Sequence, residues 1–126
     1  MLAVGGHVLE DFRPTYVRMM TGLAGGVGNT KEELCGALSS GVVILSALYG
    51  RAGPEESDEP AYRWSALYRE RFREALGTTH CQTLRDQVGA RPGYREPCAQ
   101  VVERATTVLL GVLEEARRSS EGGTCG

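Results

Sequence analysis

Residues 34 to 49, LCGALSSGVVILSALY, carry apolar side chains almost all the way round a helical wheel. Leu34, Leu38, Val42, Leu45 and Tyr49 make one stripe, and Val43, Ile44, Ala47 and Leu48 widen it. Such a helix is stable in water only when other elements cover most of its circumference. It is therefore expected to be the central helix of its domain. Thr30 followed three residues later by Glu33 has the form of a capping box, and Gly50 supplies a stop, so the spacing predicts a helix from about Thr30 to Tyr49. Ahead of it lies GLAGGVGN, residues 22 to 29, with glycines at 22, 25, 26 and 28. This stretch predicts a tight turn whose backbone visits conformations closed to other residues and lets another backbone approach closely. It lacks the GxxxxGK[ST] order of a phosphate loop.

Helical periodicity continues on both sides. Val4, Val8, Phe12, Tyr16, Met19 and Met20 follow helical spacing over about 3 to 21, with Pro14 placed to kink or divide that segment. Asp58 is positioned to cap a helix beginning near Pro60, with Trp64, Leu67, Tyr68, Phe72 and Leu76 inward and Gly77 as the stop. Tyr62, Trp64, Tyr68 and Phe72 have the spacing of a packed face rather than a base-stacking surface. A short helix from Thr79 carries His80, Cys81 and Leu84. GARPGYREP, 89 to 97, reads as a loop. A last helix from near Pro97 buries Val101, Ala105, Val108, Leu109, Val112 and Leu113. The expected fold is all-α, a small bundle of about four to five helices. One domain covers 1–118, followed by a flexible C-terminal tail at 119–126.

Charge narrows the function. Lysine and arginine number 14 against 16 acidic residues, a formal net charge of −2, which gives no electrostatic case for nucleic acid. The longest apolar run, VVILSAL at 42 to 48, is too short to span a membrane, and no secretory signal pattern is present. The expected location is cytoplasmic, where the four cysteines, Cys35, Cys81, Cys98 and Cys125, would be reduced. No two of them form a CxxC pair.

Cys81 and Cys98 fall in the first turns of predicted helices, and Cys35 lies about a turn further into its own. Unpaired amides and the helix dipole stabilise a thiolate at such a place. Three helix starts converging on one point would make a thiolate cluster able to exchange disulfides or hold a metal. The competing reading is that each thiol is a small hydrophobe in a helical core. His80 is a candidate partner for the thiolate of Cys81, or a metal ligand, although neighbours on a helix point apart. A capping or surface role is the alternative. Cys125, in a glycine-rich tail, is either incidental or a resolving thiol.

GLAGGVGNTKEELCGALSSG followed by VVILSALYG, then REALGTTHCQTL and later EPCAQVVERA, resembles the redox-active family named for its C–GCAxxG–C–C cysteine pattern. The likeness covers roughly residues 4 to 116. Its most specific part is the glycine-rich turn leading into Cys35, Gly36, Ala37 and Gly41, whose local order is not letter for letter that of the family label. The resemblance implies a mainly helical cytoplasmic protein. Its functional residues would be Cys35, Cys81 and Cys98, in redox chemistry or around an iron–sulfur cluster or other thiolate-bound metal. The family's first-helix cysteine is missing, and Val4 or its neighbours stand in its place. A fourth ligand would then come from Cys125, His80 or a partner subunit.

Two function classes follow. In the first, Cys81 and Cys98 are the exchanging pair, working with a redox protein partner, or Cys35, Cys81, Cys98 and His80 ligate a metal. In the second, the chain is a non-catalytic helical module that self-associates as a homodimer through the small residues Gly36, Ser40 and Gly41, with inert core cysteines. Two histidines and no nucleophile–base signature leave the question of an enzyme open.

Overall fold

Pro14 divides the opening segment into two helices, α1 (Leu2–Val8) and α2 (Pro14–Met20), because proline starts a helix readily and continues one poorly. A short 3-10 turn, Thr21–Leu23, leads from α2 into the glycine-rich stretch. Then follow α3 (Gly36–Tyr49), α4 (Glu59–Leu76), α5 (Cys81–Val88) and α6 (Cys98–Gly122). The structure is a computed structural model and describes residues 1–88 and 98–122. The all-α expectation is met, with six α-helices among the described residues rather than four to five.

The core forms where α3, α4 and α6 meet. Leu38, Ile44 and Leu45 of α3 pack on Trp64, Tyr68, Phe72 and Leu76 of α4, and on Val101, Ala105, Leu109, Val112 and Ala116 of α6. Each of the large side chains contributes about 1.5–3 kcal/mol by leaving water. Tyr68 and Phe72 meet edge to face with ring centroids 6.0 Å apart. The Tyr68 hydroxyl donates to the Ala37 carbonyl at 3.2 Å, so its one polar atom is satisfied inside the core. Gly41 is small because the Tyr68 ring crosses α3 there, and a Cβ at Gly41 would overlap that ring. α3 is covered by its own domain at this point.

Two helix caps differ from the sequence expectation. α3 begins at Gly36, six residues later than Thr30, and the capping box is not made. The Thr30 hydroxyl instead reaches the carbonyls of Gly26 and Val27, at 2.9 and 2.8 Å, and accepts from the Glu32 amide at 3.3 Å. Residues 31–35 are drawn away from helical geometry by pairing with another segment. α4 starts beside Asp58 as expected, but the Asp58 side chain does not cap it. That carboxylate faces Arg51 at 3.6 Å, and the Ser57 hydroxyl accepts from the Glu59 amide at 3.2 Å. Gly77 ends α4 in the left-handed region at φ 86°.

α6 continues through Gly122, so residues 119–122, read from sequence as part of a tail, are helical. Arg117 bridges Glu114 and Glu121 along its exposed face. The loop expected at 89–97 and residues 123–126, including Cys125, lie outside the described residues. No helix among the described residues is long and apolar enough to cross a membrane.

Candidate functional site: a cavity walled by three thiols

The glycine-rich stretch builds one side of the site. Gly25, Gly26, Val27, Gly28 and Asn29 all have φ between 60° and 71°, a left-handed turn five residues long. Amides of Val27, Asn29 and Lys31 close it onto the carbonyls of Leu23, Ala24 and Gly25. Only glycine enters this region without cost, so Val27, with a branched Cβ at φ 67°, is strained. Two close approaches explain the glycines. A Cβ on Gly26 would stand 2.7 Å from the Cβ of Cys81, and one on Gly36 would stand 3.1 Å from the Cα of Ala24.

Beyond this turn the chain is extended and pairs with the segment before α5. Leu34 lies opposite His80 in an antiparallel bridge. The Cys35 amide donates to Thr79 O and the Cys81 amide to Glu33 O, both at 2.9 Å, while Gln82 N donates to Lys31 O at 3.1 Å. Side chains alternate across such a pairing, so Cys35 and Cys81 share the face opposite Leu34 and His80. Leu34 is accordingly 46% exposed and Cys81 only 6%. Backbone hydrogen bonds between residues more than forty positions apart thus set two thiols side by side.

Cys35 is the cap residue of α3, not a residue inside it as the sequence suggested. Cys81 opens α5, and Cys98 opens α6. All three line one cavity of about 420 Å³ beneath the left-handed turn, with Val4, Met20, Ile44, Leu84, Val101 and Leu109 among its apolar walls. Cys35 and Cys98 are half-buried and Cys81 is buried, all as free thiols. Burial pushes the Cys35 thiol up. The amides of Ala37 and Leu38 pull the other way without closing a capping hydrogen bond, and negative charge on Cys81 or Cys98 would raise it further. Burial also raises the Tyr68 phenol, with a smaller push from Cys35.

The residue that sequence reasoning missed is Arg85. It lies one turn after Cys81 on α5, lines the same cavity, and donates from Nη1 to the sulfur of Cys98 at 3.4 Å. The i, i+4 spacing from Cys81 was the available signal. His80 is placed elsewhere. Its Nε2 meets the Glu32 carbonyl at 2.9 Å, and its Nδ1 meets the Thr83 amide and hydroxyl at 3.4 and 3.2 Å. That is a cap on α5 and a tie between the paired segments, on the face away from the thiols.

The sequence profile of the family described as "Putative redox-active protein (C_GCAxxG_C_C)" matches residues 2–112. The chain belongs to that family. An 81-residue stretch, 64% of this chain, is 32% identical to one of the subunits of the glutamyl-tRNA(Gln) amidotransferase of Archaeoglobus fulgidus. The matched stretch covers only 13% of that relative's length, so the likeness is to a small segment of it. No solved structure matches this chain.

Val4, which with its neighbours is where the resemblance expects the first-helix cysteine, is buried on the wall of the same cavity. Among the described residues, no three or more His, Cys, Asp or Glu side chains are grouped so as to hold a metal ion.

Proposed function

We propose that this chain is a thiol–disulfide exchange protein in which Cys98 attacks and Cys81 resolves. The observation that carries the reading is the Arg85 guanidinium on the Cys98 sulfur, on a wall shared by three free thiols. The guanidinium N–H holds that sulfur at a fixed place on the wall, and the thiolate is the form that attacks. Cys98 is also the more accessible of the pair, whereas Cys81 is buried and its backbone is held by pairing with Glu33. In the first step the Cys98 thiolate bonds to one sulfur of a disulfide RS–SR and expels RS⁻. The Cys81 thiolate then attacks the Cys98 sulfur of the mixed disulfide, forming a Cys81–Cys98 bond and expelling the second RS⁻. Two electrons pass from the protein thiols to the substrate disulfide, and the two thiol protons leave with the two RS⁻ products as RSH. Cys35, whose thiol burial keeps protonated, stands by as a third sulfur.

The test is alkylation of the reduced protein with each cysteine followed separately by mass spectrometry. Cys98 should react first, Arg85→Ala should slow it, and Cys81→Ser should accumulate a mixed disulfide on Cys98. Thiols that react only after unfolding would put the non-catalytic module in place of this reading. Stoichiometric iron and sulfide after anaerobic purification, lost in Cys→Ser variants, would replace it with metal binding.

A further inference from the structure

Every hydroxyl on the cavity wall among the described residues already donates to the chain's own backbone. Thr21 donates to Val17 O at 3.1 Å, Ser40 to Ala37 O at 3.3 Å, Tyr68 to Ala37 O at 3.2 Å and Thr106 to Val102 O at 2.7 Å. Two cationic groups line the cavity among the described residues: Arg85, which gives one N–H to the Cys98 sulfur, and the α-amino group of Met1. The rest of the described wall offers an incoming molecule mostly hydrocarbon and sulfur. At about 420 Å³ the space lies within the range of small-molecule sites and is far too small for a folded segment of another protein. Its lining reaches the surface through apolar side chains, with Leu2 at 66% and Val102 at 50% exposure.

From these observations we infer that the substrate of the exchange is a small, largely apolar disulfide, taken into the cavity whole, rather than a disulfide of a protein or a polar peptide. This rests on the exchange reading above and adds to it the class of molecule exchanged. A peptide-borne disulfide brings amide groups, and each amide stripped of water against these walls without a partner is strongly penalised. An aromatic or alkyl disulfide gains burial of its carbon surface on entry.

Stopped-flow exchange of the reduced chain with three probes tests the idea: 4,4′-dithiodipyridine, oxidised glutathione and insulin. Each rate is divided by that of the same probe with N-acetylcysteine, which removes the probes' intrinsic reactivity. The expected result is a normalised preference of about tenfold or more for dithiodipyridine. Val102→Asp, at the exposed rim one turn from Cys98, should narrow that preference when each probe's rate is divided by the same variant's iodoacetamide rate at Cys98, with the melting temperature in place. Equal normalised rates for glutathione or insulin, or a preference untouched by Val102→Asp, would overturn the substrate class and leave the exchange reading standing. Failure of all three probes to exchange would remove both.

Discussion

Gly41 and Gly26 are both glycines with no room for a side chain, yet they belong to regions built on different principles. At Gly41 the obstacle is the Tyr68 ring, and the backbone around it is ordinary α-helix. At Gly26 the obstacle is the Cβ of Cys81 and the backbone of Lys31, and the chain itself runs at φ 71°. The α3–α4–α6 core is held by apolar side chains that would find one another in many related sequences. The thiol end is positioned by a left-handed turn, an antiparallel pairing and three helix starts, set against a wall of core side chains. Stability lives in the first region and thiol geometry in the second, so the two should respond separately to mutation.

The largest effect is expected in the core. Phe72 is fully buried, and Phe72→Ala should cost about 3–5 kcal/mol in urea denaturation while the thiols of the folded fraction keep their relative alkylation rates. Gly26→Ala should show the opposite balance. It should lose about 1–2 kcal/mol from the left-handed backbone, with a clear change in Cys81 reactivity because the new Cβ displaces that residue. If Phe72→Ala reorders the thiol rates while Gly26→Ala leaves them alone, the separation of the two regions is wrong.

The smallest effect concerns pH. Burial raises the folded-state pKa of Cys35 above its ordinary value of 9.0. The folded protein therefore binds the thiol proton more tightly than the unfolded chain does. This contribution to stability is fully present below about pH 9 and is lost as pH rises from there through the folded pKa. The Tyr68 phenol moves in the same direction, again because of burial. Denaturation at pH 8 and at pH 10 should show a loss for the wild-type chain that is smaller in Cys35→Ser. An identical loss in both would mean that Cys35 ionises freely in the folded state.

The helices of the core were legible because their cause is local. Trp64, Tyr68, Phe72 and Leu76 repeat at four-residue spacing, and so do Val101, Ala105 and Leu109, so each buried face could be named before its partners were known. The start of α3 was misread for the opposite reason. Thr30 and Glu33 have the right letters for a capping box, but residues 31–35 reach lower free energy by pairing with 79–82. No local pattern announces a partner more than forty residues away. His80 next to Cys81 invited a joint role, and the alternation of the pairing sends the two to opposite faces.

The sequence by itself determined an all-α chain, the inward faces of its main helices, the need for glycine between residues 22 and 36, and three cysteines at or near helix starts. Those properties follow from side-chain periodicity and backbone preference, which act within a few residues. Tertiary structure alone decided that Cys35, Cys81 and Cys98 share one apolar wall, that Val4 stands among them, and that Arg85 is the cation facing a sulfur. These are matters of which distant surfaces meet, and a one-dimensional pattern does not specify the meeting until the core has packed.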